Sequence, residues 1–112
     1  MQMALSKEIL GFAAEIVDHL RHREETISTA ESLTAGSVSS AIVSIAGASD
    51  VFVGGITAYR DEVKVSHLNV DPELIEQHTV ISEEVAVAMA KGAIKSFGTT
   101  WANGTTGDAG PN

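Results

Sequence analysis

Apolar residues recur every three or four positions in two long stretches of the chain, and this spacing predicts two amphipathic helices. The first helix spans residues 6–20, with an apolar stripe that runs from Ile9 to Leu20. The second begins after Ser82, a residue type that commonly caps helices, and its apolar stripe lies within residues 85–97. Each stripe needs an apolar partner, so both helices are expected to pack on a core.

Three shorter runs of β-branched and apolar residues predict strands at residues 26–29, 51–59 and 99–105. The second run is almost continuously apolar, which is typical of a buried strand. The glycine pair at residues 54–55 inside it predicts a bulge or a close backbone approach. Further helices are predicted at 33–45, 61–68 and 72–77. This mixture of strands and helices predicts an α/β layered domain.

A sheet of three strands is narrow, and the chain ends at Asn112, just after a loop that would normally lead to another element. We therefore expect residues 1–112 to form one domain that is incomplete at its C-terminal end. The composition suits a domain core, since 44% of the residues are apolar, although only 4% are aromatic.

Charge and cysteine content exclude several classes of protein. Fifteen acidic and seven basic side chains give a net charge of −8, which argues against non-specific nucleic-acid binding. The absence of cysteine excludes disulfides and thiolate zinc sites. No apolar stretch has the length of a membrane span, and the first residues lack the pattern of a signal peptide. We expect a cytoplasmic protein with no membrane contact.

Ser32 lies where the first strand gives way to the following helix. One interpretation is that its hydroxyl caps that helix. The other is that it attacks a carbonyl carbon, with backbone N–H groups at the helix start stabilising the developing oxyanion. The local sequence leaves both interpretations open.

If the strands are parallel, the loops at their carboxyl ends lie together, which is where ligands gather in open α/β sheets. Those loops and the helix after the second strand supply Ser32, Tyr59, Lys64 and the glycine-rich residues 107–111. A Ser–Lys pair can transfer acyl groups when the amine is neutral. The alternatives are that Lys64 is a solvated helix lysine and that the Tyr59 hydroxyl faces water. The four histidines have no metal-ligand spacing, so we expect no metal.

Four motifs resemble those of one known family, in the same order and at similar spacing. Residues 29–36 (TAESLTAG) resemble TAESCTGG, and residues 54–64 (GGITAYRDEVK) resemble GGVVAYSNxxK. Residues 78–86 (HTVISEEVA) resemble HGAVSEEVA, and residues 106–111 (TGDAGP) resemble TGIAGP. On these motifs the chain is identified as a member of the C-terminal domain family of the competence-damage-inducible protein CinA.

The resemblance implies a three-layer α/β/α sandwich with a mostly parallel sheet. It also implies hydrolysis of nicotinamide mononucleotide, or a related pyridine nucleotide, to the nicotinate form and ammonia, with no cofactor. Ser32 would be the nucleophile, Lys64 its base, and Tyr59 would assist proton transfer or position the amide. The expected substrate-binding residues are Glu31, Thr34, Gly36, Thr106 and Gly107. Glu31 is expected to bind backbone N–H groups or a hydroxyl rather than a metal ion, and backbone N–H groups within residues 33–36 to form an oxyanion hole or meet the phosphate.

The chain departs from the family motifs at several positions. Leu33 replaces a cysteine, Ala35 replaces a glycine, residues 60–61 (Arg-Asp) replace Ser-Asn, and Asp108 replaces an apolar residue. Two other functions therefore stay open at this point. The chain could bind a pyridine nucleotide without cleaving it, or act as an interaction module that uses an apolar sheet edge. A homo-oligomer is expected, because such an edge favours association.

Overall fold

The computed structural model describes residues 6–107. The helices are α1 (Lys7–Arg23), α2 (Ser37–Val43), α3 (Asp61–Leu68), α4 (Pro72–His78) and α5 (Glu83–Phe97), with a 3-10 turn at Ala48–Asp50. The strands are β1 (Ile27–Glu31), β2 (Phe52–Thr57) and β3 (Trp101–Gly104).

The three strands form a parallel sheet in the order β2-β1-β3, which confirms the predicted α/β class and the parallel sheet. All five residues of β1 are buried, as expected for a central strand that is covered on both faces. Alternate residues of β1 point to opposite faces, so its even-numbered and odd-numbered side chains serve different layers.

Each face of the sheet has its own apolar cluster. Helices α1 and α2 pack together on one face, over a cluster that includes Val17, Ile27 and Ile42. Helix α5 covers the other face and also contacts α3 and α4, over a cluster that includes Ala30 and Met89. The result is the predicted three-layer α/β/α sandwich.

Both features predicted at the glycine pair, a bulge and a close backbone approach, are present in β2. Ile27 pairs with Phe52 and Ser28 pairs with Gly54, so Val53 is the extra residue of a bulge. A side chain at Gly55 would collide with the Thr29 hydroxyl of β1 and would lie 3.1 Å from the Ser39 hydroxyl of α2. Glycine at position 55 therefore allows α2 to lie close to the sheet.

Helix α2 begins at Ser37, four residues later than predicted. The segment before it forms turns in which Ala35 and Gly36 adopt left-handed φ values of 50° and 99°. A right-handed helix cannot pass through two such residues. Ser32 therefore does not cap a helix, and the capping interpretation of this residue is wrong.

Most other boundaries agree with the sequence within a few residues. Helix α1 continues to Arg23 rather than ending at residue 20, and β2 ends at Thr57, so that Tyr59 lies in the following loop. Ser82 caps α5 as predicted, because its hydroxyl accepts the backbone N–H of Val85 at 3.2 Å. Asp108 and the rest of the predicted glycine-rich loop lie outside the described residues.

Candidate active site

The carboxyl ends of the three parallel strands bring the predicted site residues together at one edge of the sheet. Ser32 follows β1, and α3, which follows β2, brings Lys64 beside it. The Lys64 Nζ lies 3.3 Å from the Ser32 Oγ, within hydrogen-bond reach. Residues 105–107 follow β3 at the same edge. The predicted contact between Ser32 and Lys64 is thus present.

Lys64 is buried to an unusual degree for a lysine, with only 1% of its surface exposed. The alternative of a solvated helix lysine is therefore wrong. Its ammonium group can donate to the Ser32 Oγ and to the Tyr59 backbone carbonyl, which lies 2.9 Å away. The Asp61 carboxylate, one helical turn earlier, lies 3.7 Å from the same nitrogen. The ammonium thus has two hydrogen-bond acceptors and, at a longer distance, one ion-pair partner.

Burial lowers the pKa of the Lys64 amine below its ordinary value, since removal from water disfavours the charged form. The negative charge of Asp61 opposes this effect and raises the pKa, but burial prevails. A lysine with a lowered pKa has a larger neutral fraction near neutral pH. Its free electron pair can then accept the Ser32 proton, so the environment favours a general base.

Tyr59 contacts Lys64 through its backbone carbonyl rather than through its side chain. The carbonyl oxygen accepts a hydrogen bond from Lys64, whereas 71% of the residue's surface is exposed. This carbonyl was not anticipated from the sequence, because backbone contacts leave no residue-type signal. The proton-transfer or positioning role of the phenol stays a prediction.

Glu31 is 1% exposed, and its carboxylate forms the cap that Ser32 does not provide. It accepts the backbone N–H groups of Gly36, Val38 and Ser39 at 2.9–3.2 Å and the Ser39 hydroxyl at 2.7 Å. Burial alone would raise the pKa of Glu31, but hydrogen bonds from Ser39, Thr34 and Val38 outweigh it and lower the pKa. The expectation that Glu31 binds backbone N–H groups and a hydroxyl is confirmed.

The backbone N–H groups that follow Ser32 differ in their hydrogen bonding. Within residues 6–107, the N–H groups of Leu33 and Thr34 donate to no protein acceptor, whereas those of Ala35 and Gly36 are already bonded. The sequence predicted an oxyanion hole somewhere within residues 33–36. The structure narrows the candidate donors to Leu33 and Thr34, which directly follow the serine.

Hydroxyl groups link the loop after β3 to the loop after β1 and to the segment before α5. The Oγ1 atoms of Thr34 and Thr105 lie 2.7 Å apart, and the Thr106 hydroxyl donates to the Val80 carbonyl at 2.7 Å. A side chain added at Gly107 would lie 3.1 Å from Leu33, so this glycine keeps the two loops close. Substrate binding by Glu31, Thr34, Gly36, Thr106 and Gly107 stays a prediction.

Two departures from the family motifs now have a structural meaning. Ala35 adopts a left-handed conformation, which costs an alanine more than a glycine. Asp61 places a carboxylate beside Lys64, a contact that the i, i+3 spacing on a helix could have predicted. Within the described part of the chain, no group of three or more His, Asp or Glu residues is arranged to hold a metal ion.

The sequence and the fold can be compared with those of known proteins. The model of the CinA C-terminal domain family matches residues 10–112. This chain belongs to the CinA C-terminal domain family. A CinA-like protein from a Synechococcus strain is 43% identical over 101 residues, and one from Kosmotoga olearia is 49% identical over 96 residues. These matches cover 90% and 86% of the chain but only 24% and 23% of the relatives, so the chain spans about a quarter of the curated relatives it matches.

Solved structures of the family agree with the fold. The competence/damage inducible protein CihA of Agrobacterium tumefaciens superposes with a TM-score of 0.93 at 31% identity, over 99% of this chain and 67% of that protein. The competence damage-inducible protein A of Klebsiella pneumoniae gives a TM-score of 0.89 at 29% identity, over 93% and 65% of the two chains. In the described segment, no helix is both long and apolar enough to cross a membrane.

Proposed function

We propose that this chain is an amidohydrolase that converts nicotinamide mononucleotide to nicotinate mononucleotide and ammonia with a Ser32–Lys64 pair. The observation that supports it most is the buried Lys64 amine, 3.3 Å from the Ser32 hydroxyl at the carboxyl edge of a parallel sheet. This pair supports acyl transfer, and the amide as the bond cleaved comes from the family resemblance. The choice of nucleotide follows from the family resemblance.

In the proposed reaction, neutral Lys64 accepts the Ser32 proton while the Oγ attacks the carboxamide carbon. The N–H groups of Leu33 and Thr34 stabilise the negative oxygen of the tetrahedral intermediate. The C–N bond then breaks, and the Lys64 ammonium returns the proton to the leaving nitrogen, so that ammonia departs. A water molecule attacks the resulting ester and gives a proton to Lys64, which passes it to the Ser32 oxygen as the ester C–O bond breaks. This step restores neutral Lys64 and the Ser32 hydroxyl, and the product acid leaves as nicotinate mononucleotide after losing its proton to water.

Ammonia release from nicotinamide mononucleotide, measured with a coupled enzyme assay, tests this proposal. Ser32→Ala should abolish release because no other atom can form the ester. It should lower the melting temperature only modestly, because the buried Lys64 amine loses one acceptor but keeps the Tyr59 carbonyl. Ser40→Ala is the matched control, because Ser40 is an exposed serine of α2. Retention of a substantial part of wild-type turnover by Ser32→Ala would overturn the nucleophile assignment.

The same assay separates the proposal from the two alternatives. A non-catalytic nucleotide binder would be stabilised thermally by nicotinamide mononucleotide without releasing ammonia. An interaction module would show neither effect. Mass spectrometry of the protein during turnover should detect an adduct on Ser32 if ester hydrolysis is slow.

A further inference from the structure

The groups around the Lys64 ammonium differ in charge. Its two hydrogen-bond acceptors, the Ser32 hydroxyl and the Tyr59 carbonyl, are neutral groups. The Asp61 carboxylate, 3.7 Å away, makes an ion pair with it instead. Asp61 is therefore the charged partner of the buried lysine.

The position of Asp61 differs from that of Lys64 in its contact with water. Lys64 is 1% exposed, whereas the Asp61 side chain is 60% exposed. Asp61 begins α3 and Lys64 follows one turn later, so both side chains lie on the same side of the helix. The exposed carboxylate thus contacts the buried amine from one helical turn away.

Other ionisable groups near α3 have different partners. Glu31 binds the start of α2, Arg60 pairs with Glu62 at 2.7 Å, and Glu84 of α5 pairs with His78 at 3.0 Å. The remaining charged residues of α5, the helix that packs against α3, are exposed, and these are Glu83, Lys91 and Lys95.

We propose that Asp61 is a positioning residue that sets the charge state of Lys64, and through it the pH range in which the Ser32–Lys64 pair works. The carboxylate stabilises the ammonium form, so the neutral amine predominates only at a higher pH than it would without Asp61. When the amine is neutral, one of its N–H bonds still donates to the Tyr59 carbonyl. Its electron pair is then directed to the Ser32 hydroxyl. The catalytic part of this inference rests on the proposed function.

Asp61→Asn is the decisive variant, because it removes the charge, keeps the shape, and restores the residue of the family motif. Glu62→Gln is the matched control, since it removes an equal charge from the same first turn of α3 at a residue paired with Arg60. The two variants alter the charge at the helix start similarly. A difference between them therefore reports the contact with Lys64.

The Lys64 side chain can be titrated by NMR, with its signal among the four lysines assigned from the Lys64→Met spectrum. We expect Asp61→Asn to lower the Lys64 midpoint and Glu62→Gln to leave it unchanged. The acid limb of the ammonia-release profile should move by the same amount, so release on that limb rises a few-fold in Asp61→Asn. At higher pH, where Lys64 is neutral in both proteins, the two rates should converge.

An unchanged Lys64 midpoint in Asp61→Asn, or an equal change in Glu62→Gln, would overturn the role of Asp61. The NMR titration needs no turnover, so it distinguishes the two proposals. If no variant releases ammonia while the midpoint falls only in Asp61→Asn, the control of Lys64 charge by Asp61 stands. In that case the proposed amidohydrolase function alone fails.

Discussion

At the scale of single residues, Lys64 must satisfy two requirements that usually conflict, one for stability and one for catalysis. A buried ammonium lowers the free energy of unfolding unless it is paired, whereas a base must be neutral for part of the time. The site meets both demands with two hydrogen-bond acceptors and the Asp61 ion pair for the charged form, and with enough burial to lower the pKa of the amine. Two substitutions at position 64 can separate the need for a neutral amine from the effect of a buried charge on stability.

Lys64→Arg should abolish ammonia release, because a guanidinium stays protonated and cannot accept the Ser32 proton. Lys64→Met should also be inactive, yet it should fold at least as stably, since an apolar side chain of similar length replaces a buried charge. Lys91→Arg, on the exposed side of α5, is the control and should keep full activity. Turnover near the wild-type rate in Lys64→Arg would contradict the assignment of Lys64 as base.

Ala35→Gly should raise the free energy of unfolding by up to about 1 kcal/mol. The left-handed conformation at φ 50° costs a non-glycine residue about 1–2 kcal/mol, and the greater freedom of unfolded glycine offsets part of the gain. Urea unfolding followed by circular dichroism measures this change. Ala46→Gly is the control, because Ala46 is exposed without a positive φ, and that variant should be less stable than wild type.

At the scale of elements, the junction of β1 and α2 determines where Ser32 lies. The Glu31 side chain reaches from the last residue of β1 to the first turn of α2 and accepts four hydrogen bonds there. The intervening residues 32–36 are therefore held at both ends. This loop contains the serine and the two N–H groups proposed for the oxyanion hole, so Glu31 supports the site without touching Lys64.

Glu31→Gln should lower the free energy of unfolding by about 2 kcal/mol at pH 7, because an amide cannot accept all four bonds and leaves buried donors unpaired. The folded-state pKa of Glu31 is lowered, so its stabilising contribution is present above its ordinary value of about 4.5. That contribution is lost as pH falls through the folded-state pKa. Urea unfolding across this range should show the difference between wild type and Glu31→Gln shrinking in acid.

Glu76→Gln on α4 provides the comparison, since Glu76 is exposed. It should show little cost at any pH. A Glu31→Gln difference that is constant down to low pH would contradict the hydrogen-bonded carboxylate at this junction.

The junction also shows how far the sequence predicts this site. Hydrophobic spacing predicted α1 and α5, and the strand loops predicted that Ser32 and Lys64 would meet. The start of α2 was predicted too early, because residues 33–36 have no strong helix breaker before Gly36. Whether Ala35 adopts a left-handed conformation depends on contacts between Glu31 and α2, which lie several residues apart. The Tyr59 carbonyl contact likewise follows from the tertiary position of Lys64, whereas the Asp61 contact is implied by its i, i+3 spacing on α3.

At the scale of the whole molecule, the two faces of the sheet are covered but its β3 side presents apolar groups. Ile9, Phe12 and Ile16 of α1 and Trp101 of β3 are 40–59% exposed. A cavity of about 330 Å³ lies between α1, α2 and β3, and Ile16 and Asn103 connect it to a second cavity beside Trp101. These four exposed residues form one apolar surface, and such surfaces commonly mark interfaces.

We therefore expect a homo-oligomer that buries this surface, which is defined by Ile9, Phe12, Ile16 and Trp101. Size-exclusion chromatography with light scattering should give a mass above that of one chain. Phe12→Asp should shift it toward the monomer, because a charge cannot be buried there without a partner. Val87→Asp, at a 45% exposed valine of α5, is the control and should not change the mass. A wild-type protein that is monomeric at all accessible concentrations, or a Val87→Asp variant that dissociates equally, would contradict the assignment of this surface.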